Sequence, residues 1–265
     1  NGHVLLLGHR DTVFPKGEVA KRPFTIDGGR AYGPGVADMK AGLVMNLFVL
    51  AAFKRFGGNP APLTLLMTSD EEIGSPSCRP LIEDAARGAA LVLNSEPGRP
   101  TGNVVSGRKG GIFMRVQVTG RAAHSGGNYA EGRSAILALA RKIDALHGLT
   151  DLERGTTVNV GLIHGGQSVN TVAPSAEGAI DLRYVRAADR AEALAAIEAI
   201  ALRADVPDTT AALTIEGEFL PLELSAESAR LLELYRTCSA ELGRGVEGVF
   251  AGGCADSGFT AAVGA

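Results

Sequence analysis

Three short, almost unbroken apolar runs constrain this chain most: Val4-Leu5-Leu6-Leu7, Leu63-Thr64-Leu65-Leu66-Met67 and Ala89 to Leu93. A strand that is apolar on both faces must be covered on both, which implies a parallel sheet layered between helices. The segments between the runs supply those helices. Lys40 to Phe56 places Leu43, Leu47, Leu50 and Phe53 at helical spacing and stops at Gly57-Gly58, and Pro80 to Arg87 reads as a further helix.

The pattern changes near Ser106. Ile112, Met114, Val116 and Val118 alternate with Phe113, Arg115, Gln117 and Thr119, a period of two. A helix is predicted over Ser134 to His147, with Ile136, Leu139, Ala140 and Ile143 on one face. Alternating strands follow near Val158-Val160-Leu162 and Ile180-Leu182-Tyr184. Asp189 with Glu192 reads as a capping box opening a second helix with Leu194, Ile197 and Ala201 inward, and Ala211-Leu213-Ile215 closes the segment. Strand-helix-strand-strand-helix-strand is the ferredoxin-like order. The chain then returns to a long helix (Leu231, Leu234, Tyr235, Cys238), a strand ending at Phe250 and the loop Ala251 to Asp256. The expectation is an α/β fold, mainly a parallel sheet covered by helices, at residues 1–106 and 218–265. A ferredoxin-like α+β domain at 107–217 is inserted into it.

Composition excludes several classes. The chain has 265 residues, 45% of them hydrophobic and 21% charged, which is globular rather than disordered composition. A net charge of −3 provides no basic excess for nucleic acid or an anionic membrane. The longest mostly apolar stretch, Ala41 to Phe53, reads as too short for a bilayer and is broken by Asn46. Cys78, Cys238 and Cys254 are odd in number and widely spaced, so no disulfide framework or cysteine zinc cluster is indicated, and a reducing cytoplasmic setting is expected. The chain begins without Met at Asn1 and ends at Ala265 after a Gly-rich turn; both ends read as cut, so a signal peptide is neither seen nor excluded.

The chemistry-bearing residues cluster after the apolar runs. His9 follows the first strand, and Asp11 stands where it can hold the second ring nitrogen; the alternative is a surface histidine beside a turn-forming aspartate. Asp38 precedes the first long helix, either as an N-cap or as a carboxylate bridging two cations. Asp70-Glu71-Glu72 follows the second run and Glu96 the third. Adjacent acids repel unless protons or cations intervene; a solvated loop is the alternative. In open parallel sheets this edge is where ligands bind. One histidine with several carboxylates and no cysteine suits a hydrolytic divalent-metal site holding zinc, or else cobalt or manganese.

Gly8-His9-Arg10-Asp11-Thr12-Val13, Gly33-Pro34-Gly35-Val36-Ala37-Asp38-Met39-Lys40 and Ser69-Asp70-Glu71-Glu72-Ile73-Gly74-Ser75 resemble three successive signatures of one di-zinc metallopeptidase family. That family comprises the bacterial glutamate carboxypeptidases, aminoacylase, acetylornithine deacetylase and succinyl-diaminopimelate desuccinylase. Gly120-Arg121-Ala122-Ala123-His124-Ser125 resembles its inserted-domain motif. Gly165 to Pro174, followed by Asp181-Leu182-Arg183, resembles another. The resemblance covers nearly the whole chain and is strongest to the glutamate carboxypeptidase type.

The resemblance implies two zinc ions per subunit. His9 and Glu96 would hold one, Glu72 the other, and Asp38 would bridge them. Asp11 would orient His9, and Glu71 would be general base to the attacking water. The inserted domain would make a homodimer, with His124 steadying the oxyanion in the partner's site. Asn170 and Arg183 would grip the substrate carboxylate, Arg183 through a bidentate fork; a surface salt bridge to Asp181 is its alternative. The implied activity is hydrolysis of peptides or N-acyl amino acids bearing a free α-carboxylate. A biosynthetic N-acyl amino acid deacylase or an inactive dimerising homologue are the alternatives.

Two departures accompany it. Arg10 stands where the family is usually apolar or small. The family's last zinc ligand, a histidine some tens of residues after the Gly252 to Asp256 loop, falls beyond Ala265, so an incomplete second metal site is expected; His147 and His164 belong to the inserted domain.

Overall fold

The computed structural model describes residues 2–265. It forms two compact units, one made of residues up to Arg108 together with Leu222–Ala265, the other of Lys109–Pro221. The second is thus inserted in the chain of the first.

In the first unit, β1 (His3–His9) forms the centre of a parallel sheet. A short helix α1 (Glu18–Lys21) and a hairpin of β2 (Thr25–Asp27) and β3 (Arg30–Tyr32) follow. The sequence reading missed all three, because their side chains are exposed and carry no apolar periodicity. Helix α2 (Ala41–Arg55) leads to β4 (Leu63–Thr68), and α3 (Arg79–Ala86) leads to β5 (Ala89–Asn94). The strand order is β4-β1-β5, both pairings parallel. Leu5, Leu6 and Leu7 are sealed from solvent, as an apolar strand in the middle of a sheet requires. A second parallel pair is formed by β6 (Val104–Arg108) and a strand from the far end of the chain, Gly248–Ala251.

The helix after β1 departs from the expected packing. Leu43 is buried, but Leu47 and Phe53 are exposed, while Asn46 is buried. Asn46 is no break in the helix: its Oδ1 accepts the Ser95 hydroxyl at 2.7 Å, tying α2 to the loop after β5. Gly42 explains the close approach, since a Cβ there would lie 2.0 Å from the Ser95 carbonyl oxygen. Counted from the turn before it, Val36–Arg55 spans 20 residues and contains an 18-residue window of mean hydropathy 1.6, so by length and composition alone it could cross a membrane. The sequence reading had put the stretch below that length.

The second unit is one antiparallel sheet of β7 (Gly110–Thr119), β8 (Thr157–Gly165), β9 (Ser175–Tyr184) and β10 (Thr210–Phe219), in the order β10-β7-β9-β8. Helices α4 (Ala135–His147) and α5 (Asp189–Ala201) pack against it. Its core holds Ile112, Met114, Val116, Ile180, Leu182 and Tyr184 from the strands with Leu139, Leu146 and Ile197 from the helices. The inner face of α4 is Ala135, Ala138, Leu139, Lys142 and Leu146, which overlaps the expected face at Leu139, with Ile143 packed against the core, whereas Ile136 and Ala140 are exposed. Lys142 misled the pattern. Its stem lies in the core and its ammonium donates to Asp205 Oδ2 at 2.9 Å and to the carbonyls of Ile200 and Arg203. Nor does Asp189 cap α5. Ala188 occupies the cap position, and Asp189 accepts from Arg154 and Arg186, which hold its carboxyl down at about 2.

The chain returns to the first unit through α6 (Ala226–Glu241), capped by Ser225, then β11 (Gly248–Ala251) and α7 (Ser257–Ala262).

Candidate active site

Three strand ends and two loops deliver the acidic residues of the first unit to one cavity of about 520 Å³. His9 is the last residue of β1 and is 1% exposed. Its Nδ1 faces the Asp11 carboxylate at 3.4 Å and the Asp11 carbonyl at 3.2 Å. With the ring proton on Nδ1, held by Asp11, the Nε2 lone pair would be available to a metal. Nε2 meets Asp38 Oδ1 at 3.2 Å, Glu71 Oε2 at 3.8 Å and Glu96 Oε2 at 3.9 Å. Asp11 also accepts the Glu72 backbone N–H at 3.0 Å, so one carboxylate sets both the imidazole and the turn after β4.

Asp38 stands at a break in the helical turn Val36–Lys40, followed by a cis peptide to Met39. Met39 is fully buried beneath it, with Sδ accepting the His9 N–H. A Cβ at residue 8 would lie 2.4 Å from the Met39 methyl, which explains glycine there.

The three consecutive acids after β4 part company. Asp70 turns away and accepts the backbone N–H groups of Ser77 and Cys78 at 2.7 and 3.2 Å, ahead of α3. Burial pulls its carboxyl up, yet bonds from Cys78 and Ser77 hold it below the usual value. Glu71 is 7% exposed. Burial first, then the charges of Glu96, Asp256, Glu72 and Asp38, push its carboxyl up to about 9. Glu72 is half-buried and also raised, by burial and Asp38. Glu96 is raised by burial although His9 and Arg108 pull it down.

Two residues without a role assigned from sequence, Arg108 in the cavity lining and Asp256 buried beside Glu71, complete the surroundings of the acids. Asp256, 1% exposed, accepts the Ser75 hydroxyl at 2.5 Å and the Thr68 hydroxyl at 3.4 Å, which ties the Gly252 to Asp256 loop to the end of β4. Burial raises its carboxyl to about 6. Arg108, 9% exposed, donates through Nη1 to the carbonyls of Gly253 and Cys254 at 3.1 and 3.2 Å. The available signal was positional: Asp256 follows the end of β11, as Glu71 and Glu96 follow β4 and β5.

The structure therefore brings His9, Asp11, Asp38, Glu71, Glu72 and Glu96 together. Ligand atoms of His9, Asp38 and Glu72 lie within 4.8 Å of one another, and so do those of His9, Glu71 and Glu96. This donor set fits one or two divalent cations: an imidazole nitrogen among carboxylates, three of which, Glu71, Glu72 and Glu96, have raised proton affinities.

The other sequence candidates belong to the second unit. His124 is exposed, and its Nδ1 accepts the N–H groups of Gly126 and Gly127, both at 3.1 Å, so Nε2 carries the proton. Asn170 is exposed and accepts the Ser168 hydroxyl. Arg183 donates to Asp181 Oδ1 at 2.7 Å and lies over the Phe113 ring at 5.0 Å; the salt-bridge alternative is the one present.

Known proteins agree with this architecture. Carboxypeptidase G2 of Pseudomonas sp. (strain RS-16) is 33% identical over 208 residues, 78% of this chain and 50% of that protein, so the chain spans half the length of that relative. The crystal structure of aminopeptidase PepT from Bacillus cereus ATCC 10987 superposes with a TM-score of 0.78 at 20% identity, covering 99% of this chain and 70% of that one. Sso-CP2 from Sulfolobus solfataricus, described as an M20 family metallo-carboxypeptidase, gives 0.77 at 20% identity over 97% of this chain and 74% of that one. At such identity these structures attest the fold. Residues 5–265 match Peptidase family M20/M25/M40 from near the first strand to the last residue, and the chain belongs to that family.

Proposed function

We propose that the chain carries the catalytic centre of a metal-dependent amide hydrolase of carboxypeptidase type, acting on peptides or N-acyl amino acids with a free α-carboxylate, C-terminal glutamate first among them. The observation that carries this is the convergence of Asp38, Glu71, Glu72 and Glu96 on one cavity, with their carboxylates gathered around His9 Nε2. The relative named carboxypeptidase G2 supports the reaction class.

His9, Asp38, Glu72 and Glu96 are the residues that would hold the metals. Two divalent cations, zinc or else cobalt or manganese, would supply the positive charge that keeps these carboxylates ionised, polarise the scissile carbonyl and acidify the attacking water. Asp11 keeps the imidazole in the ligating tautomer. Glu71, at the buried end of the cavity, takes the proton of the attacking water at a carboxylate oxygen and delivers it to the departing amine. His124 of a second copy donates Nε2–H to the oxyanion. Asn170 and Arg183 take the substrate carboxylate. The proposed homodimer forms through the second unit, where the edge strand β8 exposes Leu162 and Ile163 and the neighbouring α4 exposes Ile136 and Leu137.

The test is Glu71→Gln, with metal content and turnover of an N-acyl-L-glutamate measured together. Loss of turnover by a factor on the order of a hundred or more, with metal retained, is expected for a general base. Normal turnover with metal retained removes Glu71 from that role, and a wild-type chain that takes up no metal overturns the hydrolase reading.

A further inference from the structure

The cavity is lined by basic as well as acidic residues. Besides Asp38, Glu71, Glu72 and Glu96, it is lined by Arg99 and Arg108. Arg108 is committed: it is buried, and it holds the Gly253 and Cys254 carbonyls. Arg99 is exposed, and among the described residues its guanidinium makes no hydrogen bond or ion pair. It lies three residues beyond Glu96, a separation the backbone spans in at most about 11 Å. The loop carrying it, Pro97-Gly98-Arg99-Pro100, is flanked by prolines, and Pro100 biases Arg99 toward an extended backbone. Arg99 is therefore an uncommitted, permanently charged fork in the lining of a cavity whose other charges are negative or paired.

We propose that Arg99 determines specificity by binding a carboxylate of the substrate's leaving amino acid. The inference rests on the hydrolase reading and deepens it. With the acids neutralised by cations and Arg108 held by backbone carbonyls, Arg99 is the lining charge left to attract an entering carboxylate. A guanidinium pairs with a carboxylate in a bidentate fork, which an amide cannot reproduce. This grip belongs to the first unit and is additional to Asn170 and Arg183. A substrate with two carboxylates, as glutamate has, would use both.

The zinc-loaded chain is titrated calorimetrically with N-acetyl-L-glutamate, with N-acetyl-L-glutamine and with N-acetyl-L-glutamate amidated at the α-carboxyl, and hydrolysis of each is followed in parallel. Wild type should favour N-acetyl-L-glutamate over at least one amidated compound, and that compound identifies which carboxylate is read. Arg99→Met should weaken N-acetyl-L-glutamate on the order of tenfold, as expected for loss of a charge-assisted hydrogen bond, and erase the preference without changing zinc content. Arg99→Lys should restore part of it and Arg99→Glu should reverse it. If Arg99→Met keeps the wild-type preference, the assignment of Arg99 falls and the hydrolase reading stands. If wild type neither binds nor hydrolyses any of the three, both fall.

Discussion

Glu71 offers a quantitative test in the metal-free chain. Its carboxyl is raised from 4.5 to about 9, first by burial and then by four neighbouring carboxylates. A raised acid keeps its proton in the folded state at pH values where the unfolded chain has released it. Its contribution to stability is thus complete below pH 4.5 and is lost as pH rises toward 9. Within that window each pH unit removes about 1.4 kcal/mol. Between about pH 5 and pH 8, Glu71 alone would remove about 4 kcal/mol. Glu96 and Asp256 rise for the same reason and draw on the same charge balance, so the expected difference is about 2 to 4 kcal/mol. Glu71→Gln keeps the shape and has no proton to lose. Urea unfolding followed by circular dichroism, in chelator and at one-unit pH steps, should show the wild-type curve falling with pH and the variant falling less steeply, with the residual slope due to Glu96 and Asp256. Parallel curves would refute the account of Glu71 as a buried acid crowded by like charges. With zinc added, the wild-type slope should reverse, because cations bind the deprotonated ligands.

Further outcomes follow from the same geometry. Zinc at about a hundred times its dissociation constant should stabilise the wild-type chain by about 2.7 kcal/mol in thermal melts, and His9→Ala should abolish most of that gain. Asp256→Ala strands the buried Ser75 hydroxyl, with Thr68 beside it, and should cost about 2 to 3 kcal/mol in urea unfolding. Gly42→Ala sets a Cβ 2.0 Å from the Ser95 carbonyl oxygen and should destabilise strongly, whereas Gly245→Ala meets nothing within 4 Å and should be near neutral. Lys142→Met leaves Asp205 and two carbonyls without their buried donor, and a loss of about 3 kcal/mol is expected on chemical denaturation.

Where the sequence was readable, it was so for physical reasons. A strand buried on both faces must be apolar throughout, so β1, β4 and β5 stand out as continuous runs, and the polar residues after them fall at one edge of the sheet. Helix faces were harder. The buried sides of α2 and α4 include Asn46 and Lys142, polar residues satisfied by Ser95 and by Asp205. No periodicity count assigns such residues inward. Asp189 read as a helix cap because spacing cannot see Arg154, which comes from 35 residues away and takes that carboxylate.

The succession of the apolar strands, the positions of the acids along the chain and the family motifs were present in the amino-acid sequence, since each depends only on local residue pattern. Tertiary structure alone decided what each acid does. Asp70, Glu71 and Glu72 are chemically near-identical neighbours, yet one caps the approach to α3, one is buried with a proton affinity several orders above the ordinary, and one stands half-exposed beside His9 and Asp38. A carboxylate's proton affinity is set by its distance from water and from other charges, and here those charges arrive from Glu96 and Asp256, segments that only folding brings together.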